Sequence, residues 1–190
     1  MARKNEFKPD KPYSGFWEKL LLTRLQRRAL LKWCLYSLVL VVLSVLQDVL
    51  LCRVHIFGAT TELVPCGVFL VCLLEGADRG CIFVLVASLL YLFSGSAAGI
   101  YVILFMTAVA IGATWLRQRY LQSGFGAAMI CTAGAMIVYE LAVFIIGAFL
   151  GLTTVGRVGS FLLTALLTMI PAPAIYLVLR AIGGGDIWKE

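Results

Sequence analysis

The chain has 190 residues, of which 62% are apolar and 14% charged, and its net charge is +6. Soluble domains hold roughly 45–50% apolar and about 25% charged residues, so a water-soluble globule is excluded and the bilayer must be part of the solvent. Runs such as Leu38 to Leu43 do not alternate with polar residues, which excludes a β-barrel. The expected fold is all-α, a polytopic helical membrane protein.

Residues 1–13 are polar, with Pro9 and Pro12, and read as a disordered tail. From Ser14 to Arg28 apolar positions (Phe16, Trp17, Leu20, Leu21, Leu25) interleave with Glu18, Lys19, Arg24, Arg27 and Arg28. This basic amphipathic segment is either a helix lying in the membrane interface or the positively charged lead-in to the first span. The first span covers Leu30 to Cys52 and, with no small-residue cleavage site after it, is an uncleaved anchor. Shorter segments follow at Leu63 to Leu74 and Cys81 to Phe93. The second of these reaches only about 20 Å at 1.5 Å per residue, so both either borrow flanking residues to cross or form a re-entrant pair. Three more spans are expected over Gly99–Leu116, Ala127–Leu150 and Gly159–Leu179. The division is then a cytoplasmic basic tail and interfacial helix over 1–29, a six-helix membrane domain over 30–180 and a cytoplasmic tail over 181–190.

Nine of the sixteen Lys and Arg lie at or before Lys32. With both termini inside, fourteen of the sixteen face the cytoplasm, and only Arg53 and Arg157 face out. The positive charge therefore speaks for topology and attraction to a membrane surface, not for a nucleic-acid partner.

No catalytic constellation appears: no nucleophile beside a His, no HExxH, no phosphate-cradling glycine loop and no carboxylate pair on one helix face. The six cysteines lack a CxxC pair and read as small buried hydrophobes, and His55 lacks ligand-spaced neighbours, so neither a metal nor a cofactor is expected. The polar groups within apolar segments are the remaining candidates. Glu140, in the middle of the fifth span, should face the bundle interior, either as a partner or ion-linked site or as a structural hydrogen-bonding group. The carbonyls freed around Pro171 and Pro173, which should kink the sixth span, are its first candidate partners. Asp48 sits near the interface within reach of Arg53. Glu75, Asp78 and Arg79 either solvate a tight inner turn between Gly76 and Gly80 or present a rigid corner to a partner. Three GxxxG spacings, Gly76/Gly80, Gly95/Gly99 and Gly147/Gly151, mark helix caps or close helix crossings.

The stretch from Glu62 to about Gly112 resembles the rod-shape-determining membrane protein family MreD. The residues that carry the likeness are Glu62-Leu63, Glu75-Gly76, Gly80, Leu89-Leu90, Ser94-Gly95-Ser96 and Gly99, and a mid-span acid such as Glu140 is also similar. The sequence departs from the family at Tyr91, where members usually carry an acid, and at Thr60-Thr61, where they often have a proline. The resemblance implies a non-enzymatic subunit of the cell-elongation machinery of peptidoglycan synthesis. Its expected partners are the single-span protein MreC and, through it, MreB filaments, a RodA-like polymerase and a class B penicillin-binding protein. Glu75, Gly76, Arg79, Gly80, Ser94, Gly95, Gly99, Glu140 and Pro171 are then the partner or structural candidates. The alternative is the substrate-binding S component of an energy-coupling-factor vitamin transporter, against which speaks the lack of alanine in the first span after Ala29.

Overall fold

The computed structural model describes residues 24–49, 51, 59–95, 97, 99–120 and 124–183. The N-terminal tail, most of the amphipathic segment, Arg53, His55 and Lys189 lie outside the described residues. Among the described residues seven α-helices follow one another: α1 (Arg24–Val49), α2 (Leu63–Glu75), α3 (Ala77–Phe93), α4 (Tyr101–Tyr120), α5 (Phe125–Phe149), α6 (Val158–Thr168) and α7 (Ala172–Gly183). Arg24 to Arg28 are continuous with α1, so this part of the basic segment leads directly into the first span.

Among the described residues three helices, α1, α4 and α5, are long and apolar enough to cross a membrane; the α6–α7 pair, bent by 46°, makes a fourth if it counts as one span. Their outward faces are what lipid demands. On α1, Tyr36, Leu40, Leu43 and Gln47 are buried at helical spacing, while Leu31, Leu38, Val41, Val42 and Val45 are exposed. A helix, with every backbone bond made internally, can present such a face to hydrocarbon.

The element at the centre is α2. Every residue from Leu63 to Leu73 is buried, and the helix packs against α1, α3, α4, α5 and α7. At thirteen residues it is shorter than a bilayer core requires. Jacketed by five neighbours, however, it needs no lipid-facing length, and a helix that is apolar on all sides belongs in such a position. Its approach to α1 is close: a Cβ on Gly67 would stand 2.8 Å from Leu43 Cδ1.

The charged stretch after α2 is not an extended turn. Gly76 alone reverses the chain, with φ 86° and ψ 170°, a region open essentially only to glycine. Ala77 to Gly80 already form the first turn of α3, which therefore begins four residues before the expected Cys81. Asp78 in that first turn complements the positive end of the helix dipole. At the other end of α3, Gly95 takes φ 78° and its N–H returns to Leu92 O at 3.2 Å. The end of α5 is a Schellman motif: Leu152 N–H bonds Gly147 O at 2.8 Å, and Gly151 N–H, at φ 71°, bonds Ala148 O at 3.1 Å. The expected kink in the last span falls at Met169–Pro171, between α6 and α7.

Candidate functional site

Two polar clusters lie at opposite ends of the helix bundle. The first gathers the start of α1, the end of α2, the start of α3 and the ends of α4 and α7. Lys32 Nζ stands 2.5 Å from Glu75 Oε1, with side-chain exposures of 10% and 5%, and Tyr36 Oη donates to the same oxygen at 2.7 Å. Arg117 Nη1 donates to Leu73 O, satisfying a carbonyl in the last turn of α2. A Cβ on Gly80 would meet Cys72 Sγ at 2.8 Å and Cys72 Cα at 3.0 Å, so Gly80 sets the closeness of α2 and α3. Of the sequence candidates, Glu75, Gly76 and Gly80 thus meet in one structural junction, and Asp78 and Arg79 stand exposed beside it.

The second cluster lies where α2 and α4 begin, α5 ends and α6 begins. Glu140 is 1% exposed and lies in the wall of a cavity of about 400 Å³. Glu62, just before α2, lines the same cavity with Tyr101, Thr153, Arg157 and Thr164. Glu62 Oε2, Glu140 Oε1 and Thr153 Oγ1 are buried without a hydrogen-bond partner. Among the described residues, no ion pair joins the exposed Arg157 to either carboxyl group. Two carboxyl oxygens of the cavity are therefore met by no donor, and a buried acceptor left unsatisfied costs about 1–3 kcal/mol.

Behind Glu62 the polar groups are fully engaged. Gln47 Oε1 accepts the Val64 N–H at 3.1 Å, and Gln47 Nε2 donates to Tyr91 Oη at 3.4 Å. Glu62 N–H donates to Thr168 Oγ1 at 3.0 Å, whose hydroxyl in turn donates to Thr164 O at 2.7 Å. This chain of contacts ties α1, α2, α3 and α6 together and holds one face of Glu62 fixed while the other looks into the cavity.

The chain matches no protein-family model, no curated protein and no solved structure.

Glu140 is buried inside the bundle, as a mid-span carboxyl group should be, but not against the proline carbonyls. Of the carbonyls freed ahead of the prolines, Leu167 O takes the Ile170 N–H at 3.2 Å while Glu140 Oε1 stays unpartnered, and Pro171 lines a separate apolar pocket with Leu46, Leu63 and Leu167. Ser94 and Gly95 close the end of α3, with Ser94 Oγ donating to Tyr91 O at 2.8 Å, and Gly99 lies against the Tyr101 ring. They stand beside the cavity's supporting network without lining the cavity. Asp48 accepts from Ser44 Oγ at 3.5 Å, and its expected partner Arg53 lies outside the described residues. Sequence reasoning missed Glu62, Gln47 and Arg157 as members of the site. An acid just ahead of an apolar helix and a glutamine near a span end are ordinary sights, and only the tertiary fold brings them to Glu140.

Proposed function

We propose that the chain is a non-enzymatic integral membrane subunit of the bacterial cell-elongation complex, an MreD-like protein of the plasma membrane with its N- and C-termini in the cytoplasm. On this reading it binds a single-span MreC-like protein and through it a RodA-like polymerase and a class B penicillin-binding protein. The observation that carries the reading is the role of the residues behind the resemblance. Glu75, Gly76, Gly80 and Gly95 lie at the ends and closest approach of α2 and α3, so the family-like stretch builds the centre of the bundle. A central scaffold of this kind leaves the outer faces for partners.

A groove of about 350 Å³ between α1 and α3 supports a helical partner. Leu40, Val41, Phe83, Val86 and Leu90 line it, and Ser37 and Ser44 add small side chains that let helices come close. A photo-crosslinking residue at Val41 or Val86 should capture the MreC-like partner in cells, and one at the equally exposed Val138 on α5 should not. Capture only from Val138 would remove the groove from the proposal. Purified protein that retained a vitamin at nanomolar affinity would replace the whole reading with the transporter alternative.

A further inference from the structure

The cavity at Glu62 and Glu140 has no use in a scaffold, and its chemistry is specific. It holds about 400 Å³, the room of roughly a dozen water molecules. Its unpartnered atoms are two carboxyl oxygens and a hydroxyl oxygen: Glu62 Oε2, Glu140 Oε1 and Thr153 Oγ1. Glu140 is almost completely buried and its unpartnered oxygen has no donor from the protein. The rim carries a single charge of the other sign among its described residues, Arg157.

These features discriminate between ligands. A bare metal ion is disfavoured by the donor set: among the described residues no three Asp, Glu, His or Cys side chains gather as a ligand group. Calcium takes six to eight oxygen ligands at close range, and a cavity of this size cannot close around a lone ion. An anion would meet two carboxyl groups. A primary ammonium group, by contrast, brings three N–H donors and no acceptor, and so answers the two orphan carboxyl oxygens and the acceptor side of the Thr153 hydroxyl. Arg157, with its planar fork of donors, suits a phosphate or carboxylate on the same molecule.

We infer that the cavity binds a small zwitterion, its primary ammonium group held by Glu62 and Glu140 and its anionic group by Arg157. The ligand is either a free small molecule or the headgroup of an ethanolamine phospholipid. This inference is independent of the partner-binding proposal, since the α1–α3 groove shares no residue with the cavity.

The test uses the full chain in nanodiscs of phosphatidylglycerol, with the melting midpoint read against added phosphoethanolamine, phosphocholine, inorganic phosphate or sodium chloride, and in parallel discs containing phosphatidylethanolamine. A ligand that binds only the folded state raises the midpoint in a saturable way. Phosphoethanolamine or phosphatidylethanolamine should do so, and phosphocholine, which has no N–H on its nitrogen, should not. A response to the free probe alone identifies a soluble zwitterion, and a response to the lipid alone identifies a headgroup site. Glu140→Gln and Glu62→Gln should each weaken the effect at least tenfold, and Arg157→Gln several-fold. Should Glu140→Gln fail to fold, Glu62→Gln and Arg157→Gln decide the matter. An equal shift from phosphocholine, phosphate or sodium chloride, or no shift from either ethanolamine probe, overturns the inference.

Discussion

Glu75 Oε1 is shared by two donors from α1, Lys32 Nζ at 2.5 Å and Tyr36 Oη at 2.7 Å, and so pins the end of the central helix to the first span. Gly183 at the end of α7 packs against the same Tyr36 hydroxyl, so three helices meet at one carboxylate. Trp33 and Phe83, with ring centroids 5.4 Å apart, cover the cluster from the side.

Removing one partner of such a pair leaves the other charge buried and uncompensated. Glu75→Ala should therefore cost about 3 kcal/mol or more in reversible unfolding from mixed micelles. The double substitution Lys32→Met with Glu75→Leu keeps the volume and removes both charges, and should recover most of that loss. If the double variant is as unstable as Glu75→Ala, the pair contributes more than charge neutralisation.

The glycines divide sharply into those with neighbours and those without. Gly80→Ala forces a Cβ against the Cys72 backbone at 3.0 Å, which cannot yield as a flexible side chain would. The α2–α3 hairpin must open, and a loss of about 1–3 kcal/mol is expected, typical of overpacking. Gly112→Ala, inside α4 with nothing within 4 Å of its Cβ, should instead stabilise by about 0.5–1 kcal/mol from helix propensity. Equal melting midpoints for the two variants would show that α2 and α3 are not held at this spacing.

The charged residues sort by bundle end. Lys32, Arg79, Arg117, Arg119 and Arg180 fall on helix ends that meet at the Glu75 junction, whereas Arg157 stands beside the cavity at the opposite end. In a cysteine-free background, Arg157→Cys should react with an impermeant maleimide added to whole cells, and Arg119→Cys only after permeabilisation. The reverse pattern would invert the proposed orientation.

Much of this organisation was legible in the sequence, and the losses have physical causes. An all-helical chain with apolar segments follows from composition alone, and Glu140 stood out because a carboxyl group amid Val, Ile and Phe must be satisfied or functional. The start of α3 was misplaced because Asp78 and Arg79 carry a turn's polarity while occupying a helix's exposed first turn. The centrality of α2 was invisible because a short apolar segment reads as a deficient span; what makes it viable is five neighbours, and packing partners are not written in any local pattern. Glu62 was hidden for a similar reason, since its significance lies in facing Glu140 across a cavity and not in its own surroundings along the chain.

Tyr91 offers the sharpest test of the network behind that cavity, because it occupies the position where the resembled family usually has an acid. Its hydroxyl accepts from Gln47 Nε2 at 3.4 Å, so one phenol joins α3 to α1 and, through Gln47 Oε1 on the Val64 N–H, to the start of α2. Tyr91→Phe preserves the ring, which is buried, and removes only the oxygen. The Gln47 Nε2 donor then loses its partner, and a cost of about 1–3 kcal/mol is expected for the buried group left unsatisfied. Gln47→Leu removes the other end of the contact and in addition strands the Val64 N–H at the start of α2. If the three groups form one network, the double variant should lose less than the two single variants added together, a coupling of about 0.5–3 kcal/mol in a double-mutant cycle. Strict additivity would mean that Tyr91 and Gln47 act separately. Tyr91→Glu, which restores an acid, places a third carboxyl group near Glu62 and Glu140 and strands the Gln47 amide's phenol contact. It should be the most destabilised of the series, and stability equal to wild type would show that the cavity already holds a compensating donor.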